Sequence, residues 1–263
     1  MIDLLRSNRL FRERVRAKET LIGVFIKTFD LGVVESIAVS TNLDFVVLDL
    51  EHAPCDSQQL SACILAARSQ ALPVIIRLGN TADFSIAGSL DLGASGVMFP
   101  RIDSAEAVQN LLKSTKFQGG RRGFSLSHRA ASFGGASREE FISASDKAVL
   151  TAAQIETLPA VKASGEIAAI DDLDLIFVGP ADLAVALADA PDAACGVDDA
   201  IHLVAVNASN KRKALGIYCS SVFEVDEYLR MGFTFFIVST DQALMISAAN
   251  KVVSEFRQRG KQR

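Results

Sequence analysis

A histidine, an arginine, an amide and several carboxylates follow short apolar segments of this sequence. These residues are Asp49, Glu51, His52, Arg77, Gln154, Glu156 and Asp182. Two carboxylates with further coordination positions left open suit a hard divalent cation such as Mg²⁺ or Mn²⁺. A metal of this kind, chelated by a 2-oxo acid, polarises the carbonyl group and stabilises the enolate. The set therefore predicts enolate chemistry on a 2-oxo acid.

The remaining residues suit supporting roles in that chemistry. His52 is the candidate general acid–base, because histidine titrates near neutral pH. Arg77 is expected to stabilise developing oxyanion charge. Backbone N–H groups around Ala181 and Asp182, at the start of a predicted helix, are expected to bind the carboxylate of the acid. No lysine stands at an equivalent strand end, which weakens a Schiff-base mechanism.

Each of these residues also has an ordinary structural interpretation. His52 alone is consistent with a hydrogen-bonded structural histidine, and Arg77 with a salt-bridge partner of Glu51. Glu156 and Asp182 alone are consistent with helix caps, since carboxylates favour helix N-termini. Their convergence favours function, because burying an arginine with several carboxylates is costly unless they pair or bind metal.

Eight apolar segments are predicted to be strands, and amphipathic segments separate them. The strands are predicted at 21–26, 45–50, 74–78, 97–99, 149–155, 175–178, 215–218 and 235–238. Most lack period-two alternation, which is typical of parallel strands buried on both faces. This order predicts an α/β fold, a (β/α)8 TIM barrel forming a single domain over residues 1–263. A doubly wound open sheet is the rival, but its first turn is usually glycine-rich and this one is not.

Three apolar stripes at i, i+3, i+4 and i+7 predict helices. They are Leu60, Cys63, Ile64 and Ala67; Ile201, Val204, Ala205 and Ala208; and Ala249, Val252, Val253 and Phe256. Residues 1–18 alternate basic and apolar side chains, which predicts an amphipathic helix closing the bottom of the barrel. Residues 116–136 form a long segment rich in Gly, Ser and Arg, and long loops in compact domains are usually functional or disordered.

The bulk composition excludes several classes of protein. The chain has 263 residues and a net charge of −4, so no overall basic field would attract nucleic acid or an anionic membrane. The four cysteines form no C-x-x-C pair and suggest free thiols. No apolar run approaches the roughly 20 residues of a membrane span. We expect a cytoplasmic protein.

The motifs around these residues resemble those of the HpcH/HpaI family of class II pyruvate aldolases. The resemblance covers most of the chain, in order and spacing. It is carried by Asp49-Leu50-Glu51-His52-Ala53-Pro54, the strand end at Arg77, Gln154-Ile155-Glu156-Thr157, and Val178-Gly179-Pro180-Ala181-Asp182-Leu183. The Glu-His-Ala-Pro and Gly-Pro-x-Asp-Leu pair at this separation is fairly specific, whereas either motif alone is weak.

The resemblance implies a role for each site residue. His52 corresponds to the proton acceptor, Asp91 to an aspartate that raises the basicity of that histidine, and Arg77 to the transition-state stabiliser. Glu156 and Asp182 correspond to the ligands of a divalent metal (Mg²⁺, Mn²⁺ or Co²⁺). Gln154 and the backbone at Ala181, with Asp182, correspond to the pyruvate-binding set.

The resemblance also implies a homohexamer whose subunits exchange a C-terminal helix. The stripe from Ala249 to Phe256 fits that helix, but an ordinary eighth barrel helix would show the same stripe. The implied reaction is carbon–carbon cleavage of a 2-oxo-4-hydroxy acid to pyruvate and an aldehyde, or its reverse. The aldehyde stays open: Arg121, Arg122, His128 and Arg129 fit an acidic acceptor, a solvated loop or a subunit contact.

Two other functions remain as alternatives. One is an acyl-CoA lyase acting on citramalyl- or malyl-type thioesters, which uses different acid and base residues. The other is a non-catalytic barrel that binds a keto acid as a sensor. The Glu-His-Ala-Pro motif favours the aldolase over the first, and the intact set of site residues argues against the second.

Overall fold

Eight parallel strands close into a barrel in this computed structural model, which describes residues 2–79, 83–189 and 196–260. The strands are β1 (Leu21–Ile26), β2 (Phe45–Asp49), β3 (Val74–Arg77), β4 (Gly96–Phe99), β5 (Leu150–Ile155), β6 (Leu175–Val178), β7 (Ala214–Cys219) and β8 (Phe235–Thr240). Each strand pairs with its neighbours in chain order, and β1 also pairs with β8. The predicted (β/α)8 barrel is thereby confirmed, and the open sheet is excluded.

Helices surround this barrel. They are α1 (Ile2–Arg16), α2 (Leu31–Ser40), α3 (Ser57–Ser69), α4 (Asp83–Asp91), α5 (Ala105–Lys113), α6 (Arg138–Ala148), α7 (Leu158–Ala168), α8 (Pro180–Ala188), α9 (Val197–Asn210), α10 (Val225–Arg230) and α11 (Asp241–Gly260). Short 3₁₀ helices lie at Arg129–Gly134 and Val222–Glu224. The described part of the chain contains no helix long and apolar enough to cross a membrane.

The predicted strands match the structure except at their ends. The segments predicted at 45–50 and 74–78 end one residue earlier, at Asp49 and Arg77, where the two strands pair for the last time. The seventh and eighth strands are longer than predicted, and β8 runs on through polar residues to Thr240. Apolar content locates a strand but does not locate its last ladder contact.

The barrel interior is packed from the bottom upward. Helix α1 closes the bottom, and its Phe11 and Val15 join the apolar cluster inside the sheet. Phe45 and Phe235 stack above it with ring centroids 4.1 Å apart. The helix predicted at residues 1–18 thus closes the bottom as expected, and open space remains at the C-terminal ends of the strands.

The three predicted helical stripes do not share one environment. The stripes on α3 and α9 are buried against the sheet. The stripe on α11 is exposed: Val252 is 66% exposed, Val253 44% and Phe256 77%. In the single chain, α11 therefore does not bury this apolar stripe against its own barrel.

The cysteines of the described chain are free thiols, as predicted. Cys63 and Cys219 are buried and Cys55 is partly buried, while Cys195 lies outside the described residues. Burial raises the pKa of the Cys55 thiol to about 12 and that of Cys63 to about 11, so neither is a reactive thiolate near neutral pH. These two thiols are therefore poor candidates for a catalytic nucleophile.

Candidate active site

A cavity of about 300 Å³ opens at the C-terminal ends of the strands. In (β/α)8 enzymes this is the end that carries the catalytic residues. Five of the predicted site residues line the cavity together: His52, Arg77, Gln154, Ala181 and Asp182. Their convergence follows from the closed barrel, which brings the ends of β2, β3, β5 and β6 to one rim.

Arg77 is held rigidly at this rim by Asp49. The Arg77 Nε and Nη2 atoms donate to the two Asp49 oxygens at 2.9 and 2.6 Å, in a bidentate pair. The Arg77 guanidinium also lies over the ring of Phe25, 4.3 Å from its centroid. Burial opposes ionisation of Asp49, but the hydrogen bonds and charge of Arg77 outweigh it and hold the pKa of Asp49 below its usual range. Arg77 therefore presents an oriented cation to the cavity.

Glu51 is a secondary partner of Arg77. Its Oε2 atom lies 3.5 Å from Arg77 Nη1, longer than the contacts that Arg77 makes with Asp49. The salt bridge to Glu51 considered from the sequence thus contributes less than the one to Asp49, which leaves Glu51 near the other carboxylates of the rim.

Glu156 is buried in an environment that opposes its charge. The pKa of Glu156 is raised to about 7, mainly by burial and also by the nearby charges of Glu51 and Asp182. The backbone N–H of Arg101 partly offsets these effects by donating to Glu156 Oε1 at 2.7 Å. Arg101 adopts the left-handed conformation with φ 51° to make this contact. A carboxylate with this pKa is a natural ligand for a cation that replaces its proton.

Gln154 and the start of α8 complete the wall beside Glu156. The Gln154 amide donates to Glu156, while Gln154 Oε1 is buried with no hydrogen-bond partner among the described residues. Gly179 precedes α8, and a Cβ atom there would lie 3.0 Å from Gln154 Nε2 and 3.1 Å from Glu156 Oε2. No side chain caps α8 and Pro180 occupies its first turn, so the N–H groups of Ala181 and Asp182 are not used by the helix.

The residues at this rim fit a divalent cation. The charges of Glu51 and Asp182 both oppose ionisation of Glu156, and the buried oxygens Glu51 Oε2 and Gln154 Oε1 have no hydrogen-bond partner within the described part of the chain. The described residues form no ready-made group of three or more His, Cys, Asp or Glu ligands. Two protein carboxylates with waters and substrate are the ordinary arrangement for Mg²⁺, which keeps several non-protein ligands.

His52 lies at the mouth of the cavity. Its side chain is 41% exposed, and Nε2 is 3.7 Å from Glu51 Oε2, too far for a hydrogen bond. The backbone N–H of His52 donates to Asp49 Oδ1 at 3.3 Å, which fixes the turn that follows β2. The imidazole is thus free to meet a substrate hydroxyl.

In the single chain, Asp91 and His52 line different cavities. Asp91 lines a second cavity with Leu60, Leu92 and Phe133 among others. Its Oδ1 atom accepts a hydrogen bond from Arg122 Nη2 at 2.8 Å and lies 3.3 Å from His128 Nε2. The role that the resemblance gives Asp91 stays a prediction.

The long segment at 116–136 is anchored to the barrel rather than directed into the catalytic cavity. Arg122 is buried, stacks on Phe117 and bonds Ser145 as well as Asp91. Arg129 donates to Ser61 through two of its nitrogens. These two arginines, considered as binding groups for an acidic acceptor, are occupied by contacts inside the chain.

Lys27 is a cavity residue that sequence reasoning missed. It follows β1 directly and lines the catalytic cavity, so the statement that no lysine stands at a strand end is wrong. The signal was available: Lys27 is two residues after Phe25, and residues two apart on a strand share a face. The lysines therefore no longer argue against a Schiff-base mechanism. The carboxylates around Glu156 are the feature that favours a metal mechanism.

Comparison with known proteins places this geometry in a family. The profile of the HpcH/HpaI aldolase/citrate lyase family matches residues 21–248. The 5-keto-4-deoxy-D-glucarate aldolase of Shigella boydii is 31% identical over 253 residues, covering 94% of this chain and 96% of the relative. The hydroxypyruvate/pyruvate aldolase of Paraburkholderia phytofirmans is 27% identical over 254 residues, with the same two coverages.

A solved structure agrees with both sequence relatives. The HpcH/HpaI aldolase/citrate lyase family protein from Burkholderia cenocepacia superimposes with a TM-score of 0.87 at 27% identity. The superposition covers 95% of this chain and 99% of the other. The chain therefore belongs to the HpcH/HpaI aldolase/citrate lyase family, as the motifs predicted.

Proposed function

We propose that this chain is a divalent-metal-dependent class II aldolase. It cleaves 2-oxo-4-hydroxy acids to pyruvate and an aldehyde, and runs the reverse condensation. The observation that carries the proposal is the group formed by Glu156 and Asp182, whose unfavourable charges lie beside the free amides of α8 and the oriented cation of Arg77. The relatives named as aldolases support the same reaction.

Glu156 and Asp182 would hold the metal, and Mg²⁺, Mn²⁺ and Co²⁺ all suit such oxygen ligands. When bound, the cation supplies positive charge that polarises the 2-oxo group. The amides of Ala181 and Asp182 bind the carboxylate of the keto acid at the positive end of α8. Gln154 is expected to turn the N–H of its side-chain amide toward the same carboxylate.

The protein's own residues then divide the proton and charge transfers. His52 removes the proton from the C4 hydroxyl, and the electrons of that O–H bond form the aldehyde carbonyl as the C3–C4 bond breaks. The electrons of the C3–C4 bond pass to C3 and the 2-oxo oxygen, giving pyruvate enolate. Arg77, fixed by Asp49, faces this negative charge. Protonation at C3 releases pyruvate.

The two alternative functions are less well supported. The relatives reported above are aldolases by name, and neither name refers to a CoA thioester. A non-catalytic sensor would not need an oriented Arg77, a Glu156 whose negative charge is disfavoured, and an exposed His52 at the same rim. The cytoplasmic location and the single domain over residues 1–263 stay predictions.

His52→Ala is expected to lower metal-dependent cleavage of 4-hydroxy-2-oxopentanoate about 10²- to 10⁴-fold, because the C4 hydroxyl loses its base. Its free energy of unfolding should change by no more than about 0.5 kcal/mol, because the imidazole makes no hydrogen bond with the residues that the structure describes. Pyruvate release is followed after EDTA treatment and addition of Mg²⁺ or Mn²⁺. The control is His202→Ala on the exposed face of α9, which should match wild type. Full cleavage by His52→Ala would contradict the assignment.

The exposed stripe on α11 supports the homohexamer implied by the resemblance. Apolar surface also remains uncovered on the barrel, where Ile22 of β1 is 38% exposed and Leu229 of α10 is 39% exposed. A second copy that contributes its α11 would cover such surface, and large exposed apolar patches usually mark interfaces. We therefore propose helix exchange between copies of the chain.

The double variant Val252→Asp, Phe256→Asp is expected to break the assembly, because two charges would be buried at the contact. Light scattering after size exclusion should show the mass falling from about six chains to one or two. Ser254→Asp, on the opposite face of α11, is the control and should leave the mass unchanged. A wild-type protein that is monomeric at micromolar concentration would overturn this proposal.

A further inference from the structure

The loop between β4 and α5 carries an arginine side chain that the proposed mechanism does not use. Arg101 lies just beyond β4, and its side chain does not line the catalytic cavity. Instead, the Arg101 Nε atom lies 3.3 Å from Glu51 Oε1 and forms an ion pair with it. The same residue donates its backbone N–H to Glu156 Oε1 at 2.7 Å. Arg101 therefore contacts two of the carboxylates at the metal-binding rim.

The backbone of Arg101 is held in a conformation that arginine rarely adopts. Its φ angle of 51° lies in the left-handed region, which is costly for a residue that has a Cβ atom. The next residue, Ile102, is buried, and Asp103 accepts a hydrogen bond from Thr157 Oγ1 at 2.6 Å. Thr157 directly follows Glu156, so this bond ties the Arg101 loop to the end of β5. Backbone strain of this kind persists where the surrounding structure enforces it, and it is common at functional sites.

The ion pair of Arg101 differs from an ordinary surface pair because its partner is buried. The Arg101 side chain is 76% exposed, whereas that of Glu51 is only 9% exposed. The other oxygen of Glu51, Oε2, has no hydrogen-bond partner in the described part of the chain, and Arg77 Nη1 lies 3.5 Å from it. Arg77 is already paired with Asp49 through two hydrogen bonds. Arg101 is therefore closer to Glu51 than Arg77 is, and it is not committed to another described carboxylate.

The charges at this rim determine what the Arg101 side chain does. Negative charge on Glu51 and on Asp182 opposes ionisation of Glu156. A cation beside Glu51 reduces this repulsion, which helps the carboxylates to keep their positions in the metal-free protein. The same positive charge repels an incoming divalent cation, so the guanidinium and the metal compete for the negative charge of the carboxylates. The effect is modest, because the guanidinium is largely exposed to solvent.

We propose that Arg101 is a built-in counter-cation that sets the metal affinity of this site. It holds Glu51 through its guanidinium and Glu156 through its N–H, and its charge weakens the binding of the divalent metal. This proposal rests on the metal-dependent function proposed above, and it concerns the binding of the metal rather than the chemistry of the substrate.

The test measures the binding of Mn²⁺ alone, from the EPR signal of the free ion, after treatment with EDTA and removal of the chelator. Arg101→Asn removes the charge and introduces a residue that tolerates the left-handed conformation. Its dissociation constant for Mn²⁺ should be about 3- to 10-fold lower than that of wild type at low ionic strength. Arg101→Lys keeps the charge and should stay within about twofold of wild type. Added salt should shrink the difference between Arg101→Asn and wild type.

Arg212→Asn is the matched control. Arg212 is another exposed arginine with a left-handed backbone, at φ 55°, and it lies before β7 at the opposite end of the barrel. Its replacement should leave the affinity for Mn²⁺ unchanged, which separates the position of the lost charge from the loss itself. Arg101→Gly is a second neutral variant that accepts this φ angle, and it should match Arg101→Asn.

The possible outcomes are distinct. Tighter Mn²⁺ binding by both neutral variants is the expected result. Weaker binding would show that Arg101 positions the ligands for the metal, and unchanged binding would show an ordinary surface ion pair; either overturns the proposal. A wild-type protein that binds no Mn²⁺, with variants that also bind none, would refute the metal-dependent function itself, which is a separate failure.

Discussion

Glu156→Gln is expected to abolish catalysis while making the metal-free protein more stable. Without this metal ligand, the rates of cleavage and of enolate formation should fall at least about 10³-fold, because the charge of the metal lowers the activation barrier by several kcal/mol. The stability gain follows from the raised pKa of the carboxyl group. Function at this position is thus expected to be opposed to stability.

The sign of the stability effect depends on pH. The pKa of Glu156 rises from an ordinary 4.5 to about 7 on folding, so ionisation of Glu156 costs the folded state about 3 kcal/mol above pH 7. Below pH 4.5 the group is protonated in both states and the cost vanishes. Glutamine keeps an oxygen for the N–H of Arg101, and its NH₂ group can donate to Gln154 Oε1 once the Gln154 amide turns over, since Gln154 Nε2 faces Glu156 in the wild type. The variant should therefore be more stable than wild type by about 3 kcal/mol at pH 8 and by less than about 1 kcal/mol at pH 5.

Urea unfolding in EDTA, at pH 5 and pH 8 and at one chain concentration, measures this difference. Glu166→Gln on α7 is the matched control, because Glu166 is exposed and should show neither effect. A Glu156→Gln protein that is less stable than wild type at pH 8 would contradict the charge environment described for Glu156. One that keeps metal-dependent activity would contradict its role as a ligand.

Arg77→Met is expected to damage both catalysis and folding. The rate should fall about 10²- to 10³-fold, which is typical when one oriented donor to an oxyanion is removed. The free energy of unfolding should fall by about 3–5 kcal/mol, because the fully buried Asp49 loses its main partner. Arg77→Lys should have a rate and a stability between those of wild type and Arg77→Met, because lysine keeps the charge but cannot form the bidentate pair.

A second substitution separates the two effects of Arg77→Met. Adding Asp49→Asn removes the stranded charge, so stability should largely return while activity should not. Arg138→Met is the control, since Arg138 is an exposed arginine that also lies over an aromatic ring. If Arg77→Met keeps its rate within tenfold, Arg77 is a structural residue and not part of the catalytic set.

The fold could be predicted because each strand is short, apolar and followed by an amphipathic segment. Strand ends were placed within two residues, and the largest error arose at β8, where the polar residues Ser239 and Thr240 continue the strand. The exposure of the α11 stripe could not be predicted, because the same apolar pattern fits a helix packed on its own barrel and one that reaches another copy.

The site was predictable where a polar residue directly ends an apolar strand, as at Arg77 and Glu156. Lys27 was not predicted, although it directly follows the apolar segment 21–26 and lines the cavity. Arg101 was missed because its contribution is a backbone N–H in a left-handed conformation, which no side-chain pattern reveals. The contacts of Asp91 with Arg122 and His128 join segments about thirty residues apart and could not be read from spacing.

Exchange of the pyruvate methyl protons for deuterium, followed by NMR in D₂O, tests the central claim most directly, because it detects the enolate without any aldehyde. The account predicts exchange with Mg²⁺ or Mn²⁺, none in EDTA, and loss in Glu156→Gln. No exchange with any divalent metal would contradict the aldolase function. Exchange that persists in EDTA and is lost in Lys27→Met would contradict the metal mechanism and point to an imine on Lys27 instead.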